Sequence, residues 1–125
     1  AMLQKLVMLR IKPLGLTTGQ PKVLDFLQDH DGAMQKDIAK GCHIEPSSLS
    51  TILGGMERAG LLERSTRDEN RRTVYVRLTD LGREQCRRLN AIFAAAEEEA
   101  LRGFSPQEMQ QVQTLLERIY CNLNN

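Results

Sequence analysis

Residues 46–79 constrain the fold of this chain more than any other stretch: PSSLSTILGGMERAGLLERSTRDENRRTVYVRLT. Pro46 suits the first position of a helix, where no backbone N–H is needed. Leu49, Ile52, Leu53 and Met56 then recur at i, i+3, i+4 and i+7, the spacing of one buried helix face. Ser47, Ser48, Ser50, Thr51 and Gly54 fall on the opposite face, and Gly60 stops the helix. Residues 61–65 and 73–78 read as two strands, with Val74, Val76 and Leu78 alternating against Thr73, Tyr75 and Arg77. The polar, Arg-rich residues 66–72 lie between them.

Helix, strand, basic hairpin and strand, in that order, form the pattern of a winged helix-turn-helix. Such a helix can enter a major groove, and the hairpin can reach the backbone or minor groove. Pro46, Ser47, Ser48, Ser50, Thr51 and Gly54 are therefore the candidate DNA-reading residues. Small hydroxyl side chains allow close approach and can bond base edges or phosphates. The competing reading is an ordinary solvated helix face. Against it stand Gly54 and Gly55, since two glycines inside a helix cost roughly 1 kcal/mol each relative to Ala. A close neighbour, either DNA or another helix, would account for that cost. On the hairpin, Arg67, Asn70, Arg71 and Arg72 are the candidate DNA contacts, because guanidinium groups suit phosphates and narrow minor grooves. The competing reading pairs the arginines of the whole hairpin segment, Arg64 to Arg72, with Glu63, Asp68 and Glu69.

Charge is distributed in the same sense. The net formal charge is only +1. Residues 58–88 nevertheless hold nine Arg against five acids, a net of +4, and residues 89–125 hold two Arg against five Glu, a net of −3. A DNA-facing end and a DNA-remote end would have this asymmetry.

The flanking segments read as helices. Leu3, Leu6, Val7, Leu9 and Ile11 suggest a short first helix. Thr17-x-x-Gln20 has the form of a capping box, opening a helix with Val23, Leu24 and Leu27 inward and Asp31-Gly32 at its end. Residues 35–40 suggest a short helix stopped by Gly41, followed by a buried Ile44. Thr79 caps a long helix to about residue 102, with Leu89, Ile92, Phe93, Ala96 and Ala100 as its apolar stripe. Ser105-Pro106-Gln107-Glu108 is a second capping box, with Pro at the first helical position. Met109, Val112, Leu116, Ile119 and Leu123 then recur at spacings of 3, 4, 3 and 4, a heptad-like seam.

Other chemistries find few residues to carry them. His30 and His43 have no second ligand at i+3 or i+4, so no metal site is expected. No serine has a His and Asp arrangement, no Gly-rich phosphate loop occurs, and neither catalysis nor a cofactor is expected. Cys42, Cys86 and Cys121 are odd in number and lack CxxC spacing, which suggests neither zinc nor a disulfide framework. Burial is expected for Cys86 and Cys121. Cys42, beside His43, is the candidate redox thiol. A reducing cytoplasm is the expected location. No apolar run reaches the ~18–20 residues that span a bilayer, and the N-terminus lacks the form of a secretory signal. Ala1 before Met2 reads as a tag remnant.

Taken together, these pieces resemble the MarR family of bacterial transcriptional regulators. The resemblance rests on Leu16-Thr17-x-x-Gln20, Gln35-Lys36-Asp37-Ile38-Ala39, Ile44-x-Pro46-Ser47-Ser48-Leu49-Ser50, Met56 through Arg64, Asp68-x-x-Arg71-Arg72, and Leu78-Thr79-Asp80-Leu81-Gly82. It covers about residues 14–83 in order. It implies a triangular homodimer with interlocked terminal helices and two winged lobes on one duplex. It implies that Arg72, with Arg71 beside it, sits at the hairpin tip, and that a small-molecule effector or cysteine oxidation could release a repressor. This chain departs from the family at Asn70, where an acidic residue is usual. It also lacks a basic residue at Thr51, Gly54 or Gly55, and its first helix is short.

The expected fold is mainly α with a small β-hairpin, in a single domain over residues 1–125. About 17–79 form the winged lobe, and about 2–12 and 80–124 the dimerisation helices. The expected function is sequence-specific binding of double-stranded, pseudo-palindromic DNA by a homodimeric transcriptional regulator, with a small-molecule effector as a candidate partner and no membrane partner. The alternative is a winged-helix module that contacts protein instead.

Overall fold

The computed structural model describes residues 14–67 and 70–123 of the 125-residue chain. The helix expected over residues 3–11 lies outside them. The described residues form five helices and one hairpin, in order: α1 Gln20–Asp29, α2 Gln35–Cys42, α3 Pro46–Arg58, β1 Leu62–Arg67, β2 Asn70–Leu78, α4 Asp80–Ala100 and α5 Pro106–Leu123.

The apolar stripes read from spacing meet in one core. Val23, Leu24 and Leu27 of α1 are fully buried, as are Ile38 of α2 and Leu49, Leu53 and Met56 of α3. Leu62 and Val76 close the core from the hairpin, and Leu89 from α4. Each such side chain contributes ~1.5–3 kcal/mol of transfer free energy on burial. The hairpin is antiparallel, with Leu62 opposite Leu78 and Ser65 opposite Tyr75.

The helix ends have local causes. Gly60 takes the left-handed conformation, φ 79°. The Leu61 N–H then closes on the Met56 carbonyl at 2.9 Å, completing a Schellman stop for α3. The Thr79 hydroxyl accepts the Gly82 N–H at 3.0 Å and caps α4. Ser105 and Glu108 exchange the two bonds of a capping box, at 3.1 and 2.9 Å, before α5.

Several expectations need correction. Helix α1 begins at Gln20, not near Thr17, and its cap is Gly19 with no side-chain bond. Half of the expected box survives: the Gln20 amide oxygen accepts the Thr17 N–H at 3.2 Å. Helix α2 runs on to Cys42, and His43, not Gly41, supplies the left-handed stop, φ 55°. His is among the non-glycine residues enriched in that region. Gly41 answers a different need, because a β-carbon there would collide with the Phe26 ring. Both strands are longer than read, so Thr66, Arg67 and Asn70–Arg72 belong to the ladder, which shifts register between Thr66 and Arg67.

One pairing was not anticipated. The segment Gly32–Met34 runs along the free edge of β2. The Gly32 N–H reaches the Val76 carbonyl at 2.8 Å, the Val76 N–H reaches the Ala33 carbonyl at 2.9 Å, and Met34 bridges Tyr75. Asp31 then accepts the Leu78 N–H at 2.8 Å. The connection between α1 and α2 is thereby fixed to β2, which orients these two helices relative to the hairpin.

Along α4 burial thins out and ends at Ala96, which is still buried. Phe93 and Ala100 of the expected α4 stripe are exposed, and no residue of α5 is buried. Leu116, Ile119 and Leu123 are exposed, joined on the surface by Leu115 and Tyr120. Cys121, expected inside, is exposed in this single chain.

Candidate nucleic-acid interface

Helix α3 places its side chains as its periodicity dictates. Leu49, Leu53 and Met56 anchor one face in the core. Pro46, Ser47, Ser48, Ser50 and Thr51 are all exposed. The Thr51 hydroxyl donates back to the Ser47 carbonyl at 3.3 Å. Its proton is therefore engaged within the helix, which leaves its oxygen and methyl group as the contact surface. Bonds of this type slightly destabilise and bend a helix.

Gly54 differs from the reading of a bare exposed position, because it is buried in the folded chain. What covers it is basic. A β-carbon at Gly54 would lie 3.4 Å from the Arg58 guanidinium and 3.6 Å from that of Arg64. At Gly55 the nearest atom would be the Gln20 amide nitrogen, at 3.6 Å. These are ordinary contact distances to the ends of flexible side chains. Among the described residues, no neighbouring helix requires glycine at either position.

Arg64 was grouped with the hairpin in the sequence but extends onto α3. Its backbone N–H and its guanidinium both bond the Glu57 carboxylate, at 3.2 Å each. Its pairing partner is thus Glu57 and not Glu63. The missing basic residue on α3 is supplied through space: Arg58 comes from the last turn of the helix and Arg64 from β1, both over Gly54. Spacing along the chain shows no sign of this, since Gly54 and Arg64 meet only when β1 folds back along α3.

On the hairpin, Arg67 and Arg72 are exposed. The Arg67 guanidinium lies over the Tyr75 ring, 4.1 Å from its centre. Arg67 and Tyr75 line a cleft with Glu57, Arg64 and Arg77. Asn70 and Arg71 occupy the start of β2 opposite Arg67. Asp68 and Glu69, the acids expected to compete for the arginines, lie outside the described residues.

Cys42 sits at the end of α2, buried, with its thiol 3.7 Å from the Lys22 carbonyl. Burial raises its pKa, with Asp25 adding to the rise and Lys22 opposing it. A thiol held protonated is a poor nucleophile. Among the described residues no cluster of His, Cys, Asp or Glu could hold a metal ion. None of the described helices is long and apolar enough to cross a membrane.

Comparison with known proteins agrees with this geometry. Residues 16–74 match the family model described as MarR family. The HTH-type transcriptional repressor Rv2887 of Mycobacterium tuberculosis is 26% identical over 119 residues, covering 95% of this chain and 86% of the relative. A MarR-family transcriptional regulator from Silicibacter pomeroyi superposes with a TM-score of 0.75 at 28% identity, covering 97% of this chain and 82% of that one. FabT of Streptococcus pneumoniae, solved in complex with DNA, has the same fold, with a TM-score of 0.82 at 22% identity over 97% of this chain and 88% of its own.

Proposed function

Since the chain belongs to the MarR family of winged helix-turn-helix transcriptional regulators, we propose that it binds a pseudo-palindromic operator as a homodimer and represses transcription. The observation that carries this reading is the meeting of two features on one face of α3. Exposed Ser47, Ser48, Ser50 and Thr51 lie at the helix N-terminus, and the Arg58 and Arg64 guanidiniums lie over Gly54 further along. The serines offer short donors and acceptors to base edges, and the arginines offer charge to flanking phosphates. The hairpin with Arg67, Asn70, Arg71 and Arg72 serves as the wing.

The winged lobe, about residues 17–79, carries the DNA contacts in this proposal. Residues 80–124 carry dimerisation. A two-fold dimer matches a self-complementary patch on α5, since such a patch closes on itself. The two lobes then address half-sites about one helical turn apart. A redox trigger at Cys42 forms no part of the proposal, because its burial disfavours the thiolate.

Selection of bound sequences from a pool of random duplexes tests the reading. It should return a pseudo-palindrome. Affinity for that duplex should fall steeply with salt, with a log–log slope of about −0.9 per phosphate neutralised. Arg72→Ala should flatten the slope by about one unit, and Ser48→Leu should weaken the selected duplex more than a random one. Failure to enrich any sequence, with salt-independent binding to a protein partner instead, would establish the protein-contact alternative.

A further inference from the structure

We propose that Tyr75 is a positioning residue for DNA binding, holding Arg67 by its flat face so that its edge meets a phosphate. The inference rests on the reading of the hairpin as a DNA-contacting wing, and it assigns a role to a residue that need not touch DNA itself.

Tyr75 and Ser65 are directly opposite in the ladder, and Arg67 follows Ser65 two residues later on the same strand. Side chains two apart on a strand share a face, and diagonal cross-strand neighbours are within reach of long and aromatic side chains. The guanidinium of Arg67 accordingly rests 4.1 Å from the ring centre. The register shift between Thr66 and Arg67 falls beside this contact, where an unconstrained arginine would otherwise sample many rotamers.

The ring is itself well fixed. Tyr75 is half-buried, and its backbone is bridged on the opposite edge by Met34. It therefore offers a fixed platform midway along the hairpin. Arg67, by contrast, is exposed.

Geometry makes the two contacts of Arg67 compatible. A ring occupies only the π-face of a guanidinium, whereas its N–H donors point outward in the plane. An arginine seated on tyrosine can still donate along its edge to a phosphate. Seating it beforehand removes rotamer freedom that binding would otherwise have to remove. Tyr75 thereby raises affinity for DNA without adding a charge, so it should leave the number of phosphates neutralised unchanged.

The test uses the full chain with two probes: a duplex selected by the wild type from a random pool, and an unselected duplex. Tyr75→Leu should weaken both about two- to fivefold, the size of an exposed cation–π contact, with the salt slope unchanged. Tyr75→Phe should bind as wild type. Arg67→Ala should weaken binding and flatten the slope by about one unit. Adding Tyr75→Leu to Arg67→Ala should cause no further loss. In the free protein, the Arg67 Nε–H resonance should be shifted upfield by the ring, and Tyr75→Leu should abolish the shift.

Three results would overturn the assignment. Tyr75→Leu could weaken binding equally with and without Arg67, which would make the ring a separate contact or a folding element. Arg67→Ala and Tyr75→Leu could both be silent while Arg72→Ala weakens binding, in which case the wing reading stands and the clamp fails. All three variants could be silent, and then the wing reading itself fails. Should Tyr75→Leu not fold, Tyr75→Met serves as the same test, with thermal melting as the control.

Discussion

Arg64 on β1 and Glu57 in the last turn of α3 are joined through both backbone and side chain, with two nitrogen–oxygen contacts of 3.2 Å. The pair spans the junction between the helix and the hairpin and lays a guanidinium over Gly54. The carboxylate that orients Arg64 also neutralises it, so order and charge are set against each other at one edge of the proposed interface.

Glu57→Gln separates those two effects. Removing a negative charge beside the DNA face should tighten binding to random duplex about two- to fivefold at low salt, an advantage that screening should erase as salt rises. Stability should fall by no more than ~1 kcal/mol, because the pair is partly exposed. Fluorescence anisotropy across a salt series and urea unfolding measure the two quantities. Unchanged affinity at every salt concentration would remove Arg64 from the interface.

Gly54→Ala should move stability and binding in opposite directions. A methyl group there meets only the mobile ends of Arg58 and Arg64, so the helix should gain roughly 0.5–1 kcal/mol. DNA binding should weaken by about 1–3 kcal/mol if the backbone approaches the duplex at this point. A variant that is more stable and binds the selected duplex as well as the wild type would show that the close approach does not occur.

Leu116→Glu tests the proposed dimer. Leu116 is 59% exposed in the single chain and lies outside the buried core, so the winged lobe should remain folded. Wild-type protein should sediment at twice 14.1 kDa at micromolar concentration, and the variant as a monomer. Binding to the pseudo-palindrome should fall sharply while thermal melting of the lobe persists. A wild-type chain that is itself a stable monomer would contradict the proposal.

Cys42 and Cys86 should make the fold sensitive to alkali. Burial raises both thiols above the ordinary value of 9.0, so the folded chain retains these protons where the unfolded chain releases them. Their contribution to stability is complete below that value and is lost as pH rises through the raised folded values. The urea midpoint should therefore decline above about pH 9, and less steeply in a Cys42→Ala, Cys86→Ala variant. At neutral pH, iodoacetamide followed by mass analysis should leave both thiols unmodified until the chain is unfolded. Rapid alkylation of Cys42 in the native state would restore it as a redox candidate.

The sequence by itself determined those features whose causes are local. The stripe Leu49, Leu53 and Met56, the Gly60 stop, the Thr79 cap and the Ser105–Glu108 box each depend on residues within a turn or two of one another. Backbone geometry converts their spacing directly into structure, and the ordered set was enough to identify the family. Tertiary structure decided the rest. The strand pairing of Gly32–Met34 is absent from the sequence because those residues have no alternating pattern, and the edge of β2 supplies their partners from over forty positions away. Gly41 is glycine to admit the Phe26 ring packed from α1 and does not stop α2, a role taken by His43. The site was half legible for the same reason. Exposure of Ser47, Ser48, Ser50 and Thr51 follows from helical period alone. The seating of Arg64 over Gly54, and of Arg67 on Tyr75, required the hairpin to fold back along α3 and close its register, and distances across elements are fixed by packing rather than by spacing along the chain.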